Sequence, residues 1–316
     1  MTDVAPWSGT WRAANTGAQG FYRSEYAEDH FSTGVHADRA IAQWLVDVIR
    51  AQLSARRGRD GEDRFAVIDV GTGDGRLLTD IHNTFKDEIT CIGVDLRPRP
   101  DGLHTDIAWI ERAIDEWTED ITGRDGHWTG VVIAHEFLDD VPCDVAELDE
   151  DLQPRLVLVD PHTGAEEIGP ALHDSATRAL TPDPDRSADW LARWWPATRP
   201  LARREIGDSR DRIWSKVRRI IATGHAIAID YEHRQTDRER GLWDAGTLKG
   251  FASGCPKRAV PDGSVNITAH VALDSCAGDS KQIRTQAQVL PQPSGLAGFE
   301  GALGSYGWLI EQRVQR

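Results

Sequence analysis

The sequence predicts a doubly wound α/β fold, in which parallel strands buried on both faces alternate with helices. Three observations carry that expectation. Phe65-Ala66-Val67-Ile68-Asp69-Val70 is an apolar run that gives way to glycines and then to Leu77, Leu78, Ile81 and Phe85 at helical spacing. Further apolar runs follow at Cys91–Val94, Ile107–Ile110 and Val131–Ala134, separated by helical or loop segments. A fifth, Ala226-Ile227-Ala228-Ile229-Asp230, comes after another helical stretch.

Taken in order, the first 35 residues are rich in Gly, Thr, Ser and aromatics without a sustained period, and read as an irregular cover segment. Ile41, Trp44, Leu45, Val48 and Ile49 then recur at three and four residues, which places them on one face of a helix. The Arg- and Gly-containing stretch Ser54 to Arg64 reads as a solvated linker. Between Asp144 and about Arg204 the strand–helix order lapses, with hairpin-like runs at Val145–Leu148 and Leu156–Val159 and a stretch holding Trp190, Trp194 and Trp195. This is expected to be an insertion and a candidate substrate lid. Asp208 or Ser209 is the expected N-cap of the next helix, with Ile213, Val217, Ile220 and Ile221 on one face and Gly224 as its stop. Asn266–Leu273 and Gly307–Val314 are expected to be closing strands. The expected organisation is an N-terminal helical cover (1–64), the first part of the core (65–143), the insertion (144–204) and the completion of the core (205–316).

The chain of 316 residues is 40% hydrophobic and 28% charged, enough apolar material for a large core. Its formal charge of -15 opposes binding to nucleic acid or anionic lipid and suits a cationic partner better. Cys91, Cys143, Cys255 and Cys276 form no Cys-x-x-Cys pair, so the sequence calls for reduced thiols and no metal. The start of the chain lacks the basic and apolar regions of a secretory signal, and no run is long enough to span a bilayer. A cytoplasmic location is expected.

The chemistry is concentrated in Asp69-Val70-Gly71-Thr72-Gly73-Asp74-Gly75, where a strand meets a helix. Glycines there allow a sharp turn and the approach of a ligand to bare main chain. A dinucleotide site requires G-x-G-x-x-G, but Arg76 occupies the third small position and Gly75 comes one residue early. Asp69 and Asp74 would also repel a pyrophosphate, since unit charges about 4 Å apart interact by several kcal/mol at reduced dielectric. They would attract a cation. S-adenosylmethionine brings a sulfonium and an α-ammonium, so the acidic G-x-G-x-G loop predicts that cofactor, with Asp69 on the ammonium side. Asp95, at the end of the second strand and about 22 positions beyond Gly73, is placed to accept hydrogen bonds from a ribose diol. The alternatives are a tight turn without a ligand for the glycines and a helix cap for Asp95.

The fourth strand ends in Ala134-His135-Glu136-Phe137-Leu138-Asp139-Asp140-Val141-Pro142. Ligands of doubly wound folds sit beyond the carboxyl ends of the strands, so Glu136 and Asp139 are expected near the transferring methyl, with His135 a candidate base. Asp140 reads better as a helix cap. The [N/D]-P-P-[Y/F] tetrapeptide of DNA amino-methylating enzymes is absent here. Cys143 reads as structural, because its neighbour Asp144 opposes thiolate formation.

Several of these segments together resemble the MidA-like S-adenosylmethionine-dependent methyltransferases, whose mitochondrial members methylate an arginine during complex I assembly. Asp29-His30-Phe31-Ser32-Thr33 followed by a helix from His36 is similar to the family's D-F-x-T, and Glu136-Phe137-Leu138-Asp139 with Val141-Pro142 to its N-E-F-[FL]-D-A-L-P. Ile229-Asp230-Tyr231, Gly246-Thr247-Leu248 and Asn266-Ile267-Thr268-Ala269-His270-Val271 resemble its I-D-Y-G, G-T-L and D-I-T-A-H-V runs in the same order. The resemblance spans residues 20 to 290 and implies arginine N-methylation on a protein. His135, Asp140 and Glu232 depart from the family pattern on the substrate side. The Arg203-Arg204-Glu205-Ile206-Gly207 segment also looks familial. Methylation of a small metabolite and a non-catalytic, cofactor-binding assembly role are the alternatives.

Overall fold

A computed structural model describes residues 4–24, 39–56, 65–113, 128–277, 283–290 and 306–314. The D-F-x-T-like segment at 29–33 and the start of its following helix at 36 lie outside these residues. The chain divides into two compact units: Met1–Phe31, Asp139–Arg212 and Tyr231–Gly278 form one, and Ser32–Leu138, Ile213–Asp230 and Asp279–Arg316 the other.

The second unit is the doubly wound core expected from the sequence. Its sheet contains β1 (Phe65–Val70), β2 (Ile89–Asp95), β3 (Ile107–Glu111), β4 (Trp128–His135), β5 (Ile221–Tyr231), β6 (Ile283–Thr285) and β7 (Tyr306–Arg313). The spatial order is β3-β2-β1-β4-β5-β7-β6, which is the 3-2-1-4-5 order of the nucleotide-binding α/β fold continued by a closing pair. The pairs from β3 through β5 are parallel, and β6 runs antiparallel to β7. Every residue of β1 is buried, as a central strand covered on both faces requires. Helix α1 (Ala40–Arg56) buries Ile41, Leu45 and Ile49, and α2 (Arg76–Phe85) buries Leu77, Leu78, Ile81 and Phe85.

Gly224 does not stop a helix. The helix Asp208–Val217 ends in a 3-10 turn, Arg218–Ile220, and β5 has already begun at Ile221. Gly224 pairs with Gly130 in β4, and a Cβ on Gly224 would stand 1.9 Å from the Gly130 carbonyl oxygen. The glycine therefore answers to a close strand approach, a long-range cause that helix-stop reasoning cannot register.

The other unit holds two smaller sheets. Val145–Leu148 and Pro154–Val159 form the hairpin expected from the sequence, joined by Ala5–Pro6, Glu166–Ala171 and Arg203–Glu205 in a five-stranded sheet. Asn266–Thr268 is a short strand of a separate three-stranded sheet rather than a closing strand of the core, and Leu273 begins a short helix. The expected irregular start contains a helix, Trp7–Thr16, with Trp7, Trp11 and Ala14 buried along one side against Cys143, Val145 and Val157. Arg203-Arg204-Glu205 is a strand, and the Arg204 side chain is fully buried against Asp244 at 3.1 Å.

Candidate active site

The loop between β1 and α2 is stitched to β2 by its own backbone. Gly71 and Thr72 both donate to the carbonyl of Val94, and Gly75 donates to Thr72. Gly71, Gly73 and Gly75 all have positive φ, from 62° to 77°, the left-handed region that favours glycine. Their surroundings differ. A Cβ on Gly71 would lie 2.6 Å from Phe137 Cδ2, and one on Gly75 would lie 2.7 Å from Leu103 Cδ1. At Gly73 the nearest atom would be Arg97 Nη2, at 3.5 Å, so this glycine has room above its main chain. Two of the three glycines thus admit the protein's own side chains, and Gly73 is where a ligand can approach.

The carboxylates around the loop are crowded. Asp69 is 3% exposed and accepts a 2.7 Å hydrogen bond from Thr72 Oγ1. Burial pushes its carboxyl up to about 7, against the Thr72 hydrogen bond, and the charges of Asp95 and Asp74 raise it further. Asp95 Oδ2 accepts from the Gly73 N–H at 2.9 Å, while Oδ1 accepts from the backbone and Nε of Arg97. Asp95 is not a helix cap; it ties the end of β2 to the middle of the glycine loop. Asp74 accepts from the Arg76 N–H and so shapes the entry to α2.

At the end of β4, Glu136 has φ 47°, uncommon for a residue with a side chain. Its N–H donates to the carbonyl of Ile229, and Asp230, fully buried, accepts from the N–H groups of Phe137 and Leu138. Held in this way, the turn directs Phe137 onto Gly71 and leaves the Glu136 carboxylate beside His135 Nε2, 3.5 Å away. Tyr306 of β7 donates its phenolic hydrogen to Glu136 Oε1. Sequence reasoning passed over Tyr306, which follows a stretch without a readable pattern, and gave Asp230 no role.

Asp139 and Asp140 belong to the other unit and begin no helix. Asp139 is 7% exposed, and its Oδ2 accepts from Thr268 Oγ1 at 2.7 Å. Arg210, buried, donates to the carbonyls of Asp139, Val141 and His270, which fastens the post-strand segment to the Thr268-Ala269-His270 run. Around His270 the rings of Tyr231, Trp243, His233 and Trp195 form a continuous series, with centroids 4.7 to 5.8 Å apart. Burial lowers His270 to about 4, helped by Lys249 and Arg210. Cys143 is buried and pushed up to about 12, unsuited to act as a nucleophile.

A family profile described as "Putative S-adenosyl-L-methionine-dependent methyltransferase" matches residues 40–287, well over half of the chain. The chain belongs to this family. Among solved structures, the methyltransferase is similar to a "likely methyl transferase" from Burkholderia thailandensis bound to S-adenosyl-homocysteine, at a TM-score of 0.69 and 19% identity over 98% of this chain and 88% of that one. It is also similar to the native structure of an uncharacterized protein of the same superfamily from that organism, at a TM-score of 0.67 and 18% identity over 98% and 87% of the two chains. At these identities the likeness shows the fold. No curated protein matches the chain.

The cofactor of this methyltransferase is S-adenosylmethionine, which when bound supplies an activated methyl group on a sulfonium. The loop fits such a group on two counts. Gly73 leaves space at the backbone, and Asp69, whose carboxyl is raised chiefly by burial, has the carboxylates of Asp95 and Asp74 adding negative potential beside it. A field of that sign favours a cation. Among the described residues no helix is long and apolar enough to cross a membrane.

Proposed function

We propose that the methyltransferase acts on a nitrogen of a protein, an arginine side chain, with Glu136 orienting the cationic acceptor. The observation that carries this reading is the Glu136 carboxylate itself: it stands in a strained backbone conformation at the end of β4, held by Tyr306 and flanked by His135. Strained residues persist where the surrounding structure imposes them, and they concentrate at functional sites. Methyl transfer is an in-line displacement, so the protein's main contribution is alignment of acceptor and methyl. A carboxylate suffices to align a guanidinium by paired hydrogen bonds.

In this reading Asp69 faces the cofactor's ammonium, and Gly71, Thr72, Gly73, Asp74 and Gly75 provide the loop. Asp95 serves the ribose hydroxyls with the lone pairs that Gly73 and Arg97 do not use. His135 lies beside the carboxylate as a candidate base, and Asp139 positions the segment that follows. The resemblance to MidA-like enzymes supports arginine, and the net charge of -15 suits a cationic acceptor.

The test is incubation of the purified chain with methyl-labelled cofactor and two separate pools, a proteome extract and a deproteinised metabolite extract. Label on arginine in the protein pool is the expected result. Label confined to the metabolite pool would replace the protein acceptor with a small molecule, and saturable cofactor binding without transfer to either pool would point to a non-catalytic role.

A further inference from the structure

We infer that His82, His104 and Asp106 form a binding site for a zinc-class divalent transition-metal ion, outside the methyl-transfer machinery. One ligand atom from each residue lies within 4.8 Å of the others. His104 Nδ1 and Asp106 Oδ2 are 3.6 Å apart. Two ligands each about 2.0–2.1 Å from a tetrahedral zinc stand roughly 3.3 Å apart, close to the His104–Asp106 separation; His104 Nδ1 accepts from the Asp106 N–H at 3.3 Å, a bond that an ion at this nitrogen would displace. Two imidazoles and a carboxylate are a donor set that zinc, cobalt and nickel accept and that magnesium and calcium, which prefer oxygen alone, do not favour.

The surroundings hold the ligands in place. His82 is 6% exposed and lies on the buried side of α2 with Leu78, Ile81 and Phe85, an apolar face on which an imidazole is out of character. Its ring meets that of His104 with centroids 4.4 Å apart and planes tilted by 39°. The segment bearing His104 is clamped by Arg99, whose guanidinium donates to the carbonyls of Leu103, His104 and Ile107. The His104 and Asp106 side chains are 51% and 60% exposed, which opens the ion's remaining positions to water. The three ligands lie 22 and 2 positions apart in sequence, a spacing that matches no metal motif and concealed them from sequence reading.

An ion here would fasten the connection between β2 and β3 to α2, the helix that begins at the glycine loop. The consequence is a metal-dependent rise in stability, because a ligand that binds only the folded chain shifts the unfolding equilibrium. The experiment uses the full chain, stripped with a chelator and titrated with zinc alone and with cobalt alone. Bound zinc is measured by elemental analysis, cobalt coordination by visible absorption, and melting temperature with and without zinc. Expected are one zinc per chain with micromolar or tighter affinity, a cobalt spectrum of nitrogen and oxygen ligation, and a melting temperature that rises with zinc. His104→Ala and Asp106→Asn, both at exposed positions, should each weaken zinc at least tenfold and remove the thermal response, whereas Cys255→Ser should change neither. Absence of stoichiometric binding to the parent, or zinc binding that survives in a His104→Ala/Asp106→Asn double variant, would overturn the assignment.

Discussion

The phenol of Tyr306 donates a 2.5 Å hydrogen bond to Oε1 of Glu136, joining residues 170 positions apart at the carboxyl end of the sheet. Tyr306 is 1% exposed, and its ring also lies beside that of His135, with centroids 5.9 Å apart. The bond fixes the carboxylate that the sequence marks out by its place after an apolar strand and by its family resemblance. If its purpose is orientation, Tyr306→Phe keeps the packing and loses the hold. Single-turnover methyl transfer should fall about tenfold with cofactor affinity unchanged, and stability should drop by about 1–3 kcal/mol, the usual worth of a charge-assisted hydrogen bond. Stopped turnover assays beside equilibrium titration check both halves.

The glycines of the loop should behave differently from one another. Gly73→Val puts a branched side chain into the space left above the backbone, with only Arg97 Nη2 near; its φ of 62° lowers the melting temperature, and the folded protein should fail to bind S-adenosylmethionine. Gly71→Ala instead drives a methyl into Phe137, and overpacking of this kind costs about 1–3 kcal/mol beside the strain of its positive φ. Melting temperature and calorimetric titration of the two variants separate the cases. Wild-type affinity in a folded Gly73→Val protein would remove the loop from the site.

Asp69 predicts a pH dependence. Its carboxyl is pushed up to about 7 by burial, and a cation docked at the loop stabilises the ionised form. Binding below that pH therefore releases a proton, and affinity should climb by up to about tenfold per unit of pH toward 7, then level off. The same shift has a counterpart in the unliganded chain, which should lose stability as pH rises from the ordinary carboxyl value of 3.8 through about 7, because ionising a buried group is unfavourable. Asp69→Asn should flatten both profiles. A parental affinity that falls as pH rises toward 7 would contradict the assignment of Asp69 to the cationic end of the cofactor.

Much of the core was legible because its causes are local. Phe65–Val70 and Ala226–Asp230 announce themselves as buried strands by composition, and the spacing of Leu77, Leu78, Ile81 and Phe85 shows a helix before any contact is known. What escaped was set by distant partners. The helix Trp7–Thr16 lacks a side-chain cap and an acidic first turn, and it is secured by burying Trp7 and Trp11 against residues more than 130 positions away. Gly224 looked like a helix stop, and its role lies in Gly130. At the site the acidic glycine loop was readable, but the separate duties of its glycines depend on Phe137 and Leu103, which no spacing rule connects to them.

Asp95 offers a test of cofactor choice. Its carboxylate holds the Gly73 N–H and Arg97 while facing the proposed ribose position. Asp95→Ala should weaken S-adenosylmethionine by about 1–3 kcal/mol, from lost hydrogen bonds and a loosened loop together. NAD should not bind the parent measurably, since the carboxylates repel a pyrophosphate. Saturable micromolar NAD binding would refute the charge argument.

Whether Glu136 orients the acceptor is decided by single-turnover methyl transfer in Glu136→Gln, beside a titration of S-adenosylmethionine into the same protein. Gln preserves the shape of the side chain and can still accept the Tyr306 hydrogen bond, but it carries no charge for a guanidinium. Cofactor affinity should stay within about twofold of the parent while transfer slows by about 10²- to 10³-fold, the usual scale for one electrostatic contact in a water-poor site. Transfer at the parental rate would contradict that role, and would make the strained turn after β4 a structural device rather than the acceptor's partner.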